Sequence, residues 1–377
     1  MPAERDPACE PQTRASRLAL LLYYAAYFAS WLLLPALLGE EPAHDNLEQL
    51  DWARHPALGY SKHPPLPTWV LWLFEQIFPT GVNLTYALGG LTVAAMLGCA
   101  WYVTRCLLGG RLAWRATLLC TVVTWYTLRM NFYNHNSVLL ATTAASFAAL
   151  VHALRRDRAR DWMLLGLCWG AGMLSKYEMV VGIACNLLGL ALVEPRWSRR
   201  LRALALAGAT SLSIFAPHAW WLVVSDFPPV HYAARFVGAA LGPRDRLERL
   251  LSFNGDQLLR IAPLLVVIGS LSWCARRTTI RVAPGAPPPS PPSAPLARRL
   301  LMVHALGPLV IFCALGVLAG VDLEMAWGTA YLWMIPLWVV SLRRYAPAVA
   351  LADGTWLSAV ATAQGVLVVG SVISNWK

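Results

Sequence analysis

Charge is what this sequence has least of. Asp, Glu, Lys and Arg make up 14% of its 377 residues, against about 25% in an ordinary soluble domain, which argues against a soluble globular fold. The little charge present leans one way, with 31 Lys and Arg against 20 Asp and Glu. None of the eight cysteines forms a Cys-X-X-Cys pair or another metal-ligand spacing. They read as small buried hydrophobes and imply neither a disulfide framework nor a zinc site. A glycine-rich phosphate loop is missing, as is any internal repeat, so nothing resembles a nucleotide-binding domain and an ATP-driven pump within this chain is disfavoured.

Apolar residues fill the space that charge leaves. They make up 57% of the chain, and mean hydropathy is +0.50. About eleven apolar stretches approach the ~20 residues of a spanning helix. The clearest are 18–38, 83–104, 137–154, 201–224, 258–275 and 300–320; shorter ones lie at 116–130, 161–175, 178–193, 326–341 and 356–374. Stretch 66–80 is short and carries Glu75, so it predicts a surface or re-entrant helix. The first run is too long for a signal-peptide core and is expected to remain as an anchor. The fold class is therefore all-α, a polytopic bundle in the lipid bilayer. With a cytoplasmic N-terminus, twenty-one of the 31 basic residues, all arginines, fall on the cytoplasmic side. That asymmetry accounts for the net charge of +11 without invoking nucleic acid. The expected organisation is a disordered tail over 1–16 and a transmembrane block over 17–280 whose first external loop is 39–82. A Pro-rich cytoplasmic linker over 281–299 and a second transmembrane block over 300–377 follow.

Polar chemistry collects on the opposite side. It lies in the loop 44–67, in "RMNFYNHN" (129–136), "SKYE" (175–178), "SDFPPVHYAARF" (225–236) and "VDLEM" (321–325). Polar groups at a membrane boundary are costly to bury unpaired and so are candidates for function. On a helix starting near Asn46, the carboxylates of Asp45, Glu48 and Asp51 stack at three-residue spacing. Two close carboxylates suit a general base or a metal site; the same residues also fit a capping box, with Asp45 as N-cap and Glu48 reaching back. In "GYSKHPPLPTW" the prolines stiffen the backbone and pin Lys62 and His63 where the chain re-enters the membrane. They form either a clamp for an anionic phosphate headgroup or a snorkelling lysine beside an interfacial histidine.

An acid at the start of the first external loop, followed by "W.R...LGY..HPPL..W", resembles glycosyltransferase family 39. Its members are relatives of the protein O-mannosyltransferases and the aminoarabinose-to-lipid A transferase, with the GT-C membrane fold. "GMLSKYE" (172–178), "APHAWWLVVSDFPPVHYAARF" (216–236) and, less closely, "WGTAYLWMIPLW" (327–338) extend the likeness over most of 18–341. The resemblance implies a GT-C helical bundle in a bacterial inner membrane, with its site on the periplasmic face. It implies a transferase that takes a sugar from a polyprenyl-phosphate donor to a glycolipid, polysaccharide or protein acceptor, with Asp45 at the reaction centre. The family's Asp-Glu pair is here Asp45-Asn46, so a divalent cation, with Asp45, Glu48 and His63 as candidate ligands, depends on Glu48 replacing the missing acid. Where relatives often carry an acid in the second external loop, this chain has "YNHNS", with Asn134, His135 and Asn136.

Asp45 and Glu48 are thus the catalytic candidates, and Lys62, His63 and Lys176 the candidates for the donor phosphate. Tyr60, Asn134, Asn136, Tyr177, Glu178 and His231 are cavity candidates. For Lys176 a local pair with Glu178 is the competing role, and His218 beside Pro217 reads as a structural histidine. The rival functions are a flippase for the same lipid-linked sugar, which needs the headgroup cavity but no base, and a degenerate relative that binds the lipid without turnover.

Overall fold

The computed structural model describes residues 14–194, 197–234, 242–278 and 294–375, and every regular segment of length among them is helical. Most of the expected tail (1–13) and of the Pro-rich linker (281–293) lies outside the described residues. In chain order the helices are α1 (Arg14–Leu37), α2 (His44–Ala53), α3 (Leu66–Glu75), α4 (Val82–Leu108), α5 (Gly110–Cys120), α6 (Trp125–Leu128), α7 (His135–Arg156) and α8 (Ala159–Ser175). They continue with α9 (Met179–Val193), α10 (Leu201–Val224), α11 (Pro228–Ala234), α12 (Pro243–Arg277), α13 (Ala294–Leu318), α14 (Met334–Ser341), α15 (Ala346–Val349) and α16 (Asp353–Asn375). Among the described residues, six helices are long and apolar enough to cross a membrane: α1, α4, α7, α12, α13 and α16. Helices satisfy their own backbone groups, which is why an apolar chain in lipid resolves into them.

The expectation of about eleven continuous spans is corrected at two places. The 116–130 stretch breaks into α5 and the single turn α6, and 326–341 becomes a short 3-10 turn followed by α14. Tertiary partners stabilise the first break by satisfying the backbone it opens. Thr127 Oγ1 and the Gln364 amide donate to the Thr121 carbonyl at 2.6 and 2.5 Å, and the Thr124 N–H donates to Arg260 O at 3.0 Å. Apolarity alone does not reveal such a break.

Helix α8 packs between α7 and α10, and α4 lies against α5 and α7. Gly166 permits the α8–α10 approach, because a Cβ there would collide with the Ala207 carbonyl of α10. Small residues allow this close packing where lipid offers no hydrophobic drive between helices. Helices α1 and α16 pair at the flank and leave most of their apolar side chains uncovered, as lipid-facing helices do. The antiparallel run brings the ends of α1, α4, α7, α8, α9 and α10 together at one end of the bundle. There α2, α3 and α11 lie across it, and the polar loops gather.

Candidate functional site

Helix α2 starts two residues earlier than the capping-box reading requires. His44 is its first residue, Ala43 is the N-cap, and no side chain caps it. Asp45 and Glu48 are therefore free for other partners. Asp51 points away and pairs at the surface with Arg54, so the three-carboxylate stack reduces to two.

Asn134 positions Asp45. This residue is the N-cap of α7: its Oδ1 accepts from the N–H groups of Asn136 and Ser137 at 2.8 and 3.1 Å, and the Asn134 N–H donates to Ser137 Oγ at 3.0 Å. That reciprocal box commits the amide oxygen to the helix. The amide nitrogen is left to donate to Asp45 Oδ2 at 2.6 Å. A helix start and a carboxylate are thus oriented by one side chain.

Asn46, the neighbour of Asp45, is wholly buried. Its Nδ2 donates to Thr85 Oγ1 (2.7 Å) and Asn131 O (2.9 Å), and its Oδ1 accepts from the Tyr133 N–H (3.2 Å). Both donors and the acceptor are in use. Asn46 joins α2 to α4 and to the 131–134 loop, and a carboxylate here could not reproduce the two donated bonds.

Two lysine–glutamate pairs lie near His63, and the first of them, Lys62–Glu48, is also within reach of the Asp45 charge. Lys62 donates to Glu48 Oε1 at 2.5 Å, with 35% and 15% of the side chains exposed. That hydrogen bond, ahead of the other influences on it, raises the Lys62 pKa, and the charge of Asp45 adds to the effect. Lys176 donates to Asn136 Oδ1 (2.8 Å) and Glu178 Oε2 (2.7 Å) and lies over the Trp327 ring. Glu178 in turn accepts from the Gly328 N–H at 3.1 Å. The alternative readings of Lys176 are therefore compatible: it has its local acid and still keeps one of three N–H donors.

His63 stacks on His135 with ring centroids 3.5 Å apart, and Tyr232 approaches it edge-on. Burial first, then the Lys176 and Lys62 charges, lower the His63 pKa to about 3. The lowered pKa favours the neutral imidazole, which can offer one N–H.

The remaining candidates separate into walls and outliers. Tyr60 is buried and stacks on Trp52, its hydroxyl accepting from the Ala57 N–H at 3.1 Å. It shapes the loop and does not present its phenol to the site. Tyr177 donates to His218 Nε2 at 2.8 Å while His218 Nδ1 donates to Leu58 O at 2.6 Å, an assignment forced by the carbonyl, which only accepts. Desolvation raises the Tyr177 pKa. His218 is thereby the structural histidine, tying α10 to the 54–65 loop; Trp221 on the same face packs where Gly59 has no side chain. His231 is exposed on α11, and its neighbour Tyr232 faces His63 instead. Sequence reasoning missed Tyr232, the His63–His135 stack and Arg129, an arginine on the side where arginines are scarce. That scarcity was the available signal.

Asp45, Glu48 and His63, the candidate ligands for a divalent cation, each have another partner. Asp45 is bound by an amide, Glu48 by an ammonium, and His63 is turned against His135. Among the described residues no three His, Cys, Asp or Glu side chains converge as ligands.

The family model for dolichyl-phosphate-mannose-protein mannosyltransferases matches residues 62–221, from Lys62 through Trp221, and so stops short of Asp45. The lipopolysaccharide core galacturonosyltransferase RgtA of Rhizobium johnstonii is 29% identical over 224 residues, 56% of this chain and 43% of that protein. RgtB of the same organism is 23% identical over 87% of this chain and 68% of its own length. ArnT from Cupriavidus metallidurans, solved bound to undecaprenyl phosphate, superposes with a TM-score of 0.63 at 15% identity over 93% of this chain and 62% of that one. The Archaeoglobus fulgidus oligosaccharyltransferase does so at 0.53 and 11% identity, over 88% and 50%. The chain thus spans less than half of RgtA and under two thirds of ArnT. The chain is thus similar in sequence, over part of its length, to membrane glycosyltransferases, and it shares the fold of ArnT across nearly all of it.

Proposed function

We propose that this protein transfers a sugar from a polyprenyl-phosphate donor to an acceptor hydroxyl on the external face of the bacterial inner membrane, with Asp45 as general base. The observation that carries the reading is the oriented Asp45 carboxylate, whose charge reaches Lys62, with a second ammonium, Lys176, near the same His63 and both keeping free donors. Only Oδ2 of Asp45 takes the Asn134 bond, which leaves Oδ1 for a proton. Lys62 uses one of its three N–H donors and Lys176 two. A phosphodiester oxygen can therefore be held by both without breaking either glutamate pair, and Lys62, the more open of the two, meets it first. RgtA and ArnT, one a named sugar transferase and the other solved with a polyprenyl phosphate, support the donor class.

In this reading the acceptor oxygen attacks the anomeric carbon as the bond to the donor phosphate breaks. The electron pair leaves with polyprenyl phosphate, the acceptor proton passes to Asp45, and the anomeric centre inverts. Charge developing on the leaving phosphate is met by Lys62 and Lys176, groups already oriented before reaction. His63, neutral, can donate its N–H to the same group.

The test is release of polyprenyl phosphate in proteoliposomes supplied with polyprenyl-phosphate sugars and a membrane glycolipid extract. Asp45→Asn keeps an oxygen for Asn134 and removes the base. We expect a loss of about 10²- to 10⁴-fold, the usual worth of general base catalysis. Equal turnover in both proteins removes Asp45 from the mechanism. Bound lipid with turnover in neither supports the flippase or the lipid-binding relative.

A further inference from the structure

Arg129 is a cation without an acid of its own. It closes the short helix α6, and its guanidinium lies 4.3 Å over the Phe132 ring. Among the described residues it makes no hydrogen bond or ion pair through that side chain. Stacking occupies the face of a guanidinium and leaves its N–H edge free, the edge that grips a carboxylate or phosphate through two parallel bonds. Arg260 of α12 stands on the same side of α6, over Trp125 at 4.3 Å, and is paired with Asp256 at 2.5 Å. Trp125 and Arg129 are four residues apart on one face. The Arg260 charge repels that of Arg129, and Glu40 and then Asp45 attract it.

Trp125, Arg129, Phe132, Asn134 and Ser137 line a small cleft, with apolar walls from Val93, Met130 and Leu140. Asn134 is also the residue that holds Asp45, so the cleft and the reaction centre share a wall. Asp45 acts electrostatically on Lys62 and on Arg129 alike. Lys62 and Lys176 have acid partners, as does Arg260. Arg129 alone in this group has no carboxylate in ion-pair contact among the described residues.

We propose that Arg129 binds an oxyanion, a carboxylate or a phosphate, carried by the sugar-bearing substrate that reacts at Asp45, as a site separate from the one for the donor's lipid phosphate. This deepens the transferase reading and rests on it. The anion belongs either to the acceptor or to the transferred sugar, and the recognising chemistry is the same for both.

The experiment uses the full chain in lipid nanodiscs, wild type beside Arg129→Gln and Arg129→Lys, the lysine variant retaining charge without the planar fork. In one arm, polyprenyl phosphate is bound first, and a methyl hexoside, the matching methyl hexuronoside and a hexose phosphate are titrated, read by tryptophan fluorescence. In the other arm, polyprenyl-phosphate hexuronate is compared with polyprenyl-phosphate hexose. The expected result is a preference of about tenfold or more for a charged probe over the neutral one, abolished in Arg129→Gln and partly kept in Arg129→Lys. Preference in the first arm alone assigns the anion to the acceptor; preference in both assigns it to the sugar. Wild type that ignores probe charge in both arms overturns the proposal, as does a preference that survives Arg129→Gln. If Arg129→Gln weakens plain polyprenyl phosphate as much as Lys62→Ala does, Arg129 belongs to the lipid phosphate site and the proposal also falls. Failure of the transferase reading shows separately, as polyprenyl phosphate whose binding is indifferent to Lys62→Ala.

Discussion

Glu48 can be either the counter-ion of Lys62 or a carboxylate of the reaction, and Glu48→Gln separates the two. Glutamine keeps the shape and an oxygen for Lys62 but removes the charge. If Glu48 is a counter-ion, its loss leaves the Lys62 ammonium free to favour a phosphate. An exposed ion pair is worth about 0.2–1 kcal/mol and a hydrogen bond to a charged group about 1.5–3. With Lys62 a third exposed and Glu48 nearly covered, an intermediate value of about 1–2 kcal/mol applies. That corresponds to roughly 5- to 30-fold tighter polyprenyl phosphate. Binding of radiolabelled polyprenyl phosphate to nanodisc-embedded protein measures it, and the gap should narrow near 1 M salt, where screening acts over about 3 Å. Tighter product retention should also lower kcat and the donor KM together. Unchanged lipid affinity with single-turnover chemistry abolished would refute the counter-ion assignment and place Glu48 among the catalytic groups.

Other consequences follow from the same geometry. Asn46→Ala strips partners from the Tyr133 N–H, the Asn131 carbonyl and Thr85 Oγ1, all buried, at a cost on the order of 3–5 kcal/mol; a detergent melting curve should shift down accordingly, and an unchanged curve would show that the latch is dispensable. His63 titrates near 3 in the folded protein against an ordinary value of 6.5, so the unfolded chain binds the proton first as pH falls. Its contribution to stability is intact above about pH 6.5 and is lost progressively towards pH 3. His63→Gln should flatten part of that decline in melting temperature, and an identical slope in both proteins would contradict it.

The membrane-embedded helical character of the chain was legible because lipid imposes a one-dimensional rule: some twenty apolar residues close their own hydrogen bonds. Arginine scarcity on one side and the gathering of polar loops there follow a rule of the same kind, and together they marked the loops holding Asp45, Lys62 and Lys176. Where hydropathy misled, the helix was interrupted by partners distant in sequence. Thr121 and Thr124 lose continuity between α5 and α6 because Gln364 and Arg260 satisfy the freed groups, and neither lies within 100 residues.

What each polar residue does was decided by tertiary contacts. Asp45 and Asn46 are neighbours with similar side chains, yet one faces the site and the other is consumed by three bonds to α4 and the 131–134 loop. His63 and His218 look equally reactive as letters. The fold stacks the first against His135 between two lysines and ties the second to Leu58 and Tyr177. Composition and periodicity depend on what a residue is, so the sequence by itself determined the helical class, the membrane and the loops that carry chemistry. Protonation, pairing and the free edge of Arg129 depend on which groups approach within a few ångströms from remote parts of the chain, and only the packed bundle decides that.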